Sequence, residues 1–361
     1  MTPLKEKILR LIREQGPITL AHYMQMALLD PEHGYYMKRD PLGRDFITAP
    51  EISQMFGELI GLLFTQAWED RGRPQHFHLV ELGPGRGTLM ADMLRTAAKV
   101  RPDFVSAASV VLIEASPVLR GIQAAKLANW NVRWAGTLDE VPDDAALFLV
   151  ANEFFDALPM RQFVKTIDNR REVAWHERMI SAQDERLIFA LAPEPVPLAL
   201  SLNAMPAAQL GAVFEIQAAA QAIVSDIAHR IVSRGGLGLI VDYGHVAGLG
   251  DTFQAVKAHE FADPLADPGE ADLTAHVDFG ALADAARQEH TQVWGPMTQA
   301  DLLEALGIRL RGERLKRTAL ENSAEIDAAI CRLTGKEQMG TLFKALALAA
   351  PKTPPPPGFS C

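Results

Sequence analysis

The stretch that most restricts what this chain can fold into is "HFHLVELGPGRGTLMADMLR", His76 to Arg95. Phe77 to Leu82 is a mostly apolar run that reads as a buried strand. Gly83, Gly85 and Gly87 come next as a turn, and Leu89, Met90, Met93, Leu94 and Ala97 then recur at the spacing of one helix face. A strand, a glycine turn and a helix in succession let backbone amides approach a ligand closely, because glycine has no Cβ in the way. In dinucleotide folds that turn receives a pyrophosphate. The same glycines also suit tight helix–strand packing with no ligand, so the residues C-terminal to the turn decide its meaning.

Those residues alternate between strand and helix patterns. Strand patterns over 109–114, 131–135 and 146–151 frame a helix over 117–128, whose start is marked by Ser116 and Pro117 as N-cap and first-turn residue. A long helix is predicted from Phe214 to Ser233, with Ile216, Ile223, Ile227 and Ile231 on it and Gly235-Gly236 as its stop. The buried strand "GLGLIVDYG" comes next. This order predicts an α/β, doubly wound, mostly parallel sheet.

Other segments stand outside that pattern. Residues 1–75 read as a helical N-terminal region, opened by "MTPLKEKILRLIREQG" with Leu4, Ile8, Leu11 and Ile12 on one face and interrupted by "DPLGRDFITAPEIS". Residues 160–213 read as an insertion of antiparallel strands: "RQFVKTI", the turn Asp168-Asn169, "EVAWHERMI" and "RLIFALA". The core is then 76–159 with 214–350, where 247–275 is a Gly-, Asp- and Pro-rich connection and "TQVWGPMTQADLLEALGI" and "MGTLFKALALAAP" supply a further helix and the final strands. The end, 351–361, "PKTPPPPGFSC", is expected to be a disordered polyproline tail.

Composition narrows the function classes. A chain of 361 residues with 48% apolar content can bury a large core, and its net charge of -10 excludes the basic footprint of a nucleic-acid binder. It leaves room for a basic partner, such as an arginine-bearing segment. The two cysteines, Cys331 and Cys361, imply neither a disulfide framework nor a zinc site. His245, His259 and His276 are too irregularly spaced to predict a metal, and none is expected. The start lacks a signal-peptide core and the serine-rich, acid-poor pattern of a transit peptide, and no apolar run approaches the roughly 20 residues of a membrane span. The expectation is a bacterial cytoplasmic protein without membrane insertion.

Two acids sort the cofactor. Glu81 stands two residues before Gly83, where a pyrophosphate would meet a repulsive charge, whereas a sulfonium with an amino-acid tail is a better electrostatic match. Glu114, ending "VVLIEAS", is placed to accept both ribose hydroxyls, an acid position that dinucleotide folds share. S-adenosyl-L-methionine, with S-adenosyl-L-homocysteine as product, is therefore the favoured cofactor. The candidate cofactor residues are Glu81, Gly83, Gly85, Arg86, Gly87, Thr88, Glu114, Ser116 and Asn152, joined by Thr48 and Pro50 from the N-terminal region.

The fourth strand, "ALFLVANEFFDALP", delivers Asn152 and Glu153 at its C-terminal edge, with Phe154, Phe155 and Asp156 directly after them. Carboxylates and rings beside a methyl donor suit an amine or guanidinium acceptor. A helix cap at Asp156 and core packing of both rings is the plainer alternative. "VDYGH" adds Asp242 and His245 beyond the fifth strand, as proton acceptors or as a mutually bonded pair that holds a loop.

Taken together, "GRDFITAPEISQMFGELIG", "ELGPGRGTLMADMLR", "NEFFDALP", "DYGH", "DPLADPGEADLTAHVDF" and "MGTLFKALA" resemble the MidA-like S-adenosylmethionine-dependent methyltransferases, over about residues 5 to 350. The family's eukaryotic members are complex I assembly factors of the mitochondrial matrix that act as protein arginine methyltransferases. The resemblance implies a class I, Rossmann-like methyltransferase fold, a protein client bearing a target arginine on a hydrophilic complex I subunit, and symmetric ω-N-dimethylarginine as product. It also implies a lid from "DFITAPEISQMFGE" over the cofactor, with Glu51 and Gln54 on the substrate side beside Phe154, Phe155 and His276. Glu153 and Asp156 are the expected guanidinium fork, and Asp242 or His245 the expected proton acceptor. A small-molecule N- or O-methyltransferase, and a SAM-binding assembly factor without turnover, remain the alternatives.

Overall fold

The computed structural model describes all residues except 39, 41, 44, 46, 168–172, 197–207, 319 and 360–361, so the turn expected at Asp168-Asn169 lies outside the described residues. The chain divides into two compact units, Met1–Phe46 with Ala157–Ala220 and Ala247–His276, and Ile47–Asp156 with Gln221–Val246 and Val277–Cys361. Among the described residues, no helix is long and apolar enough to cross a membrane.

The second unit carries the glycine turn. Its eight-stranded sheet runs Gln292–Thr298, Phe343–Ala349, Gly236–His245, Ala146–Asn152, Phe77–Leu82, Ala108–Ile113, Val132–Ala135, with Val277–Asp278 paired beside the end of Gly236–His245. The five strands from Gly236–His245 to Val132–Ala135 are mutually parallel, and Phe343–Ala349 enters antiparallel beside Gly236–His245. Every residue of Phe77–Leu82 is buried. That matches the near-continuous apolar run expected of a parallel strand covered on both faces.

The helix Gln54–Asp70 packs on the Thr88–Val100 helix at unusually short range. A Cβ on Gly57 would lie 2.6 Å from Cβ of Asp92, and one on Gly61 2.8 Å from Cα of Met93. Two glycines four residues apart thus let these helices nearly touch. The 54–70 helix lies in the second unit, with the glycine turn. Its N-terminus is fixed by Ser53, whose hydroxyl accepts the Met55 amide at 3.2 Å.

Two expectations are corrected in this unit. The long helix runs Ala218–Arg234, not from Phe214, and its buried face is Ala220, Val224, Ile227, Ala228 and Ile231. The proline-rich end is packed rather than disordered: Phe359 is 6% exposed in the main core beside Leu302 and Leu303. One aromatic anchor behind four prolines suffices, because proline has little backbone freedom to lose on ordering.

In the first unit, Pro3–Gln15 and Leu20–Leu29 pack with a sheet ordered Ile18–Thr19, Val173–Gln183, Arg161–Ile167, Val213–Ile216, and Arg186–Leu191 pairs with Val173–Gln183. Val213–Ile216 pairs antiparallel with Arg161–Val164, which is why Ile216 is a strand residue. Its β-branched and aromatic run favours a strand, and helix propensity begins only at Ala218. The 247–275 connection holds a three-stranded sheet, Glu260–Ala262, Gln254–Lys257 and Asp272–Thr274, hidden in the sequence by its turn residues.

Candidate active site

The strand order reverses between Phe77–Leu82 and Ala146–Asn152: the second and third strands lie to one side of the first, the fourth to the other. Open α/β sheets bind ligands in the crevice outside the carboxyl ends of such a pair. The loops there are the glycine turn and residues 153–156. Gly83, Gly85 and Gly87 have φ of 59°, 53° and 77°, left-handed values that favour glycine. A Cβ on Gly83 would stand 2.7 Å from Cδ2 of Phe154, so the two loops meet face to face.

The two acids expected at the cofactor are buried, Glu81 at 3% and Glu114 at 8% exposure. Burial, with the neighbouring Glu114 charge adding to it and the Met90 amide opposing, pushes the Glu81 carboxyl up to about 8. Burial also raises Glu114, against hydrogen bonds from Ser116 and Gln123. The Ser116 amide donates to Glu114 Oε1 at 2.8 Å, and Gln123 Nε2 donates to Oε2 at 3.1 Å. Ser116 itself caps the Pro117–Lys126 helix, accepting from the Leu119 amide at 3.4 Å, with no exposed surface. Sequence reasoning misses Gln123. It is a polar residue on the buried face of an amphipathic helix, and only its tertiary partners distinguish it.

The turn over residues 153–156 is built around Asp242. Its Oδ2 accepts the backbone N–H groups of Phe154, Phe155 and Asp156 at 3.1, 2.9 and 3.3 Å, and Oδ1 accepts the Tyr243 amide at 2.9 Å. With no exposed surface, Asp242 holds the turn through these bonds. Burial and then the charges of Asp156 and Glu153 keep its carboxyl far above the ordinary range. Phe155 is likewise fully buried and packs the core, whereas Phe154 is half-buried. Glu153 has φ of 51°, uncommon for a residue with a side chain, and its Oε1 accepts the amides of Ala49 and Asn152 Nδ2 at 2.8 and 3.1 Å. Burial, partly offset by the Ala49 amide, and the Asp156 charge bring Glu153 up to about 8. Asp156 is 6% exposed in a short 3-10 turn.

The segment Ile47–Ser53 reaches both loops. Ala49–Ile52 is a four-residue helix opened by Thr48, which makes no side-chain cap bond, and containing Pro50 in its first turn. Its Ala49 amide goes to Glu153 instead. Glu51 accepts the Thr88 hydroxyl, lies 3.7 Å from Arg86 and 4.0 Å from Lys126, and so sits on the glycine turn rather than beyond it. Gln54 is exposed and accepts from Arg95 at 3.4 Å. His245 closes its strand, its register partner being Asp278. His276 belongs to the first unit, where its amide donates to Thr252 Oγ1 at 2.9 Å.

The residues present fit S-adenosylmethionine. Among the described residues, Glu81 Oε2 and Asn152 Oδ1 are buried acceptors without a hydrogen-bond partner, at the ends of the two strands that flank the switch point. An ammonium and ribose hydroxyls supply donors, and a cation beside Glu81 favours its ionised form over the protonated one that burial alone favours.

Sheet order, glycine turn and the acid after the second strand define a class I, Rossmann-like methyltransferase. The comparisons agree. The model of the S-adenosyl-L-methionine-dependent methyltransferase family matches residues 59–297. The Drosophila melanogaster mitochondrial protein arginine methyltransferase NDUFAF7 homolog is 37% identical over 377 residues, covering 96% of this chain and 83% of that protein. Human NDUFAF7 is 36% identical over 376 residues, with 96% and 83% covered. A Burkholderia thailandensis crystal structure bound to S-adenosyl-homocysteine superposes with a TM-score of 0.85 at 26% identity, covering 99% of this chain and 94% of that one. The chain belongs to the S-adenosyl-L-methionine-dependent methyltransferase family, and to its MidA-like members. It is a methyltransferase that uses S-adenosyl-L-methionine.

Proposed function

We propose that the enzyme methylates an ω-nitrogen of arginine in a protein client, to the symmetric dimethyl product, with a hydrophilic complex I subunit as the client. The observation that supports this reading is the pair of carboxylates beside the glycine turn: Glu153 in left-handed backbone and buried Asp156, whose charge raises Glu153 and whose amide is held by Asp242. Two carboxylates that repel each other's ionisation need a cation to complete them, and a guanidinium offers a planar fork of donors. The relatives named as protein arginine methyltransferases support the same acceptor.

S-adenosylmethionine supplies a methyl group for in-line displacement, so orientation provides much of the rate. Glu81 and Asn152 receive the donors of the amino-acid tail, and Glu114 those of the ribose. Phe154, against Gly83, narrows the crevice between cofactor and acceptor. Glu153 and Asp156 hold the guanidinium and direct one nitrogen at the methyl carbon. Arginine stays protonated in water, its pKa exceeding about 12, and must lose a proton as the bond forms. A carboxylate raised to about 8 is a stronger base than an ordinary one, which suits Glu153 for that proton.

The test is single-turnover methyl transfer to a client protein carrying the target arginine. Glu153→Gln keeps size but points an amide donor at the guanidinium's donors, so transfer falls sharply while S-adenosylhomocysteine affinity holds. Asp156→Asn behaves alike if it is the second arm. Full activity in both variants refutes the guanidinium reading in favour of a small-molecule acceptor. Cofactor binding without transfer to any client supports an assembly factor.

A further inference from the structure

Gln123 joins the two halves of the cofactor site. It lies on the Pro117–Lys126 helix with no exposed surface, and its amide reaches three separate elements. Nε2 donates to the Gly85 carbonyl at 2.7 Å and to Glu114 Oε2 at 3.1 Å, while Oε1 accepts the indole N–H of Trp134 at 2.8 Å. An indole nitrogen only donates, so Trp134 fixes which end of the amide faces it and forces both N–H groups toward the turn and the acid. Below the turn, a Cβ on Gly87 would lie 3.4 Å from Gln123 Cγ, so the side chain also sets the height at which the turn rests.

Glu114 is thereby gripped on both oxygens, by Gln123 on Oε2 and by the Ser116 amide on Oε1 at 2.8 Å. A carboxylate offers about four acceptor directions, so the Ser116, Gln123 and Ala115 donors leave room for a ligand donor. A ribose hydroxyl is a donor that such a fixed carboxylate can accept.

We infer that Gln123 is a positioning residue for S-adenosylmethionine, locking the glycine turn to the ribose-binding acid so that both meet the cofactor as one preformed unit. The inference rests on the reading of Glu114 as the ribose acid. Its advantage is preorganisation: the ordering of turn and carboxylate is completed on folding instead of being charged against binding. Gap-filling under the turn would be a different role, which affects thermal stability but not the coupling between Gln123 and Glu114.

The experiment is calorimetric titration of the full chain with S-adenosylhomocysteine, for the wild type, Gln123→Met, Glu114→Ala and the double variant, with a melting curve for each. Methionine keeps the volume and removes all three hydrogen bonds, one of them to a charged group, so Kd is expected to rise about tenfold. Because Gln123 acts partly through Glu114, the double variant loses at least about threefold less than the product of the single losses. An unchanged Kd in Gln123→Met, or losses that simply multiply, overturns the inference even if Glu114→Ala binds weakly as the ribose reading requires. An unchanged Kd in Glu114→Ala overturns the ribose reading and the inference with it. If Gln123→Met fails to fold, Trp134→Phe carries the test: it leaves the ring packed but frees the amide. A Kd raised about threefold, again less than multiplicatively with Glu114→Ala, supports the lock, and wild-type affinity overturns it.

Discussion

Asp242 accepts the amide of Phe155 at 2.9 Å, from a neighbouring strand and across 87 positions of sequence. The same oxygen takes the amides on either side, so one carboxylate determines the path of the whole turn over residues 153–156.

Replacing it with alanine leaves those amides buried and unpaired, at about 1–3 kcal/mol for each one that water cannot reach. Asp242→Ala is therefore expected to lower the unfolding free energy by roughly 3 kcal/mol and to abolish methyl transfer. Asp242→Asn keeps one acceptor oxygen and loses less of both. Chemical denaturation beside a transfer assay checks this, and wild-type stability in the alanine variant would contradict the anchoring role.

Proton linkage gives a second prediction. Glu81 and Glu153 hold their protons up to about pH 8 in the folded protein, against an ordinary value of 4.5. Between those limits the folded state binds more protons than the unfolded one, so stability falls as pH rises from 4.5 toward 8 and levels off above. Glu81→Gln removes one titrating group and is expected to flatten the slope. Melting temperatures of wild type and variant from about pH 5 to 9 measure it, and parallel curves would mean that Glu81 is ionised throughout. On the proposed role of Glu153, methyl transfer is expected to run the other way, rising toward pH 8 as its carboxylate forms.

The contact of Gly83 with Phe154 makes the turn intolerant of even one added carbon. Gly83→Ala places a Cβ 2.7 Å from the ring in a left-handed backbone, so Phe154 must move and the turn over residues 153–156 with it. Binding of S-adenosylhomocysteine is expected to weaken by about tenfold or more, a loss of at least ~1.4 kcal/mol. Calorimetry decides, and NAD is expected to give no heat with either protein.

Glu51 offers a milder perturbation. Its partners Thr88, Arg86 and Lys126 are partly solvated, so the ion pairs contribute about 0–1 kcal/mol. Glu51→Ala is expected to speed S-adenosylhomocysteine release by a few-fold without changing the melting temperature by more than a degree or two. Stopped-flow displacement measures the rate, and an unchanged rate would show that the segment does not hold the bound cofactor in place.

Helix contact at Gly61 is the least forgiving. A Cβ there meets the backbone of Met93 at 2.8 Å, and backbone cannot rotate away. Gly61→Val is expected to destabilise by more than the roughly 1–3 kcal/mol typical of overpacking. A denaturation midpoint equal to wild type would mean that the helices can part.

The sheet core is legible in the sequence because burial on both faces leaves a local trace. Phe77–Leu82 and Ala146–Asn152 are apolar runs closed by turn residues, and the glycine turn announces its backbone by composition. Gly57 and Gly61 carry no such message, since glycine within a helix pattern means close approach only once the partner helix is known. Phe214–Ile216 reads as helix in the sequence because so short a run cannot outweigh the alanines beyond it, and pairing of Val213–Ile216 with Arg161–Val164 makes it a strand. At the site, sequence nominates acids but does not assign them. Glu81, Glu153 and Asp242 are the same chemistry in a row of letters. Tertiary burial and the partners each carboxylate finds make Glu81 an acceptor with an open oxygen, Glu153 a strained group beside the glycine turn, and Asp242 the anchor of three amides. Hydrogen bonding and desolvation act through space, so residue type alone places these groups near the ligand but cannot say what each does there.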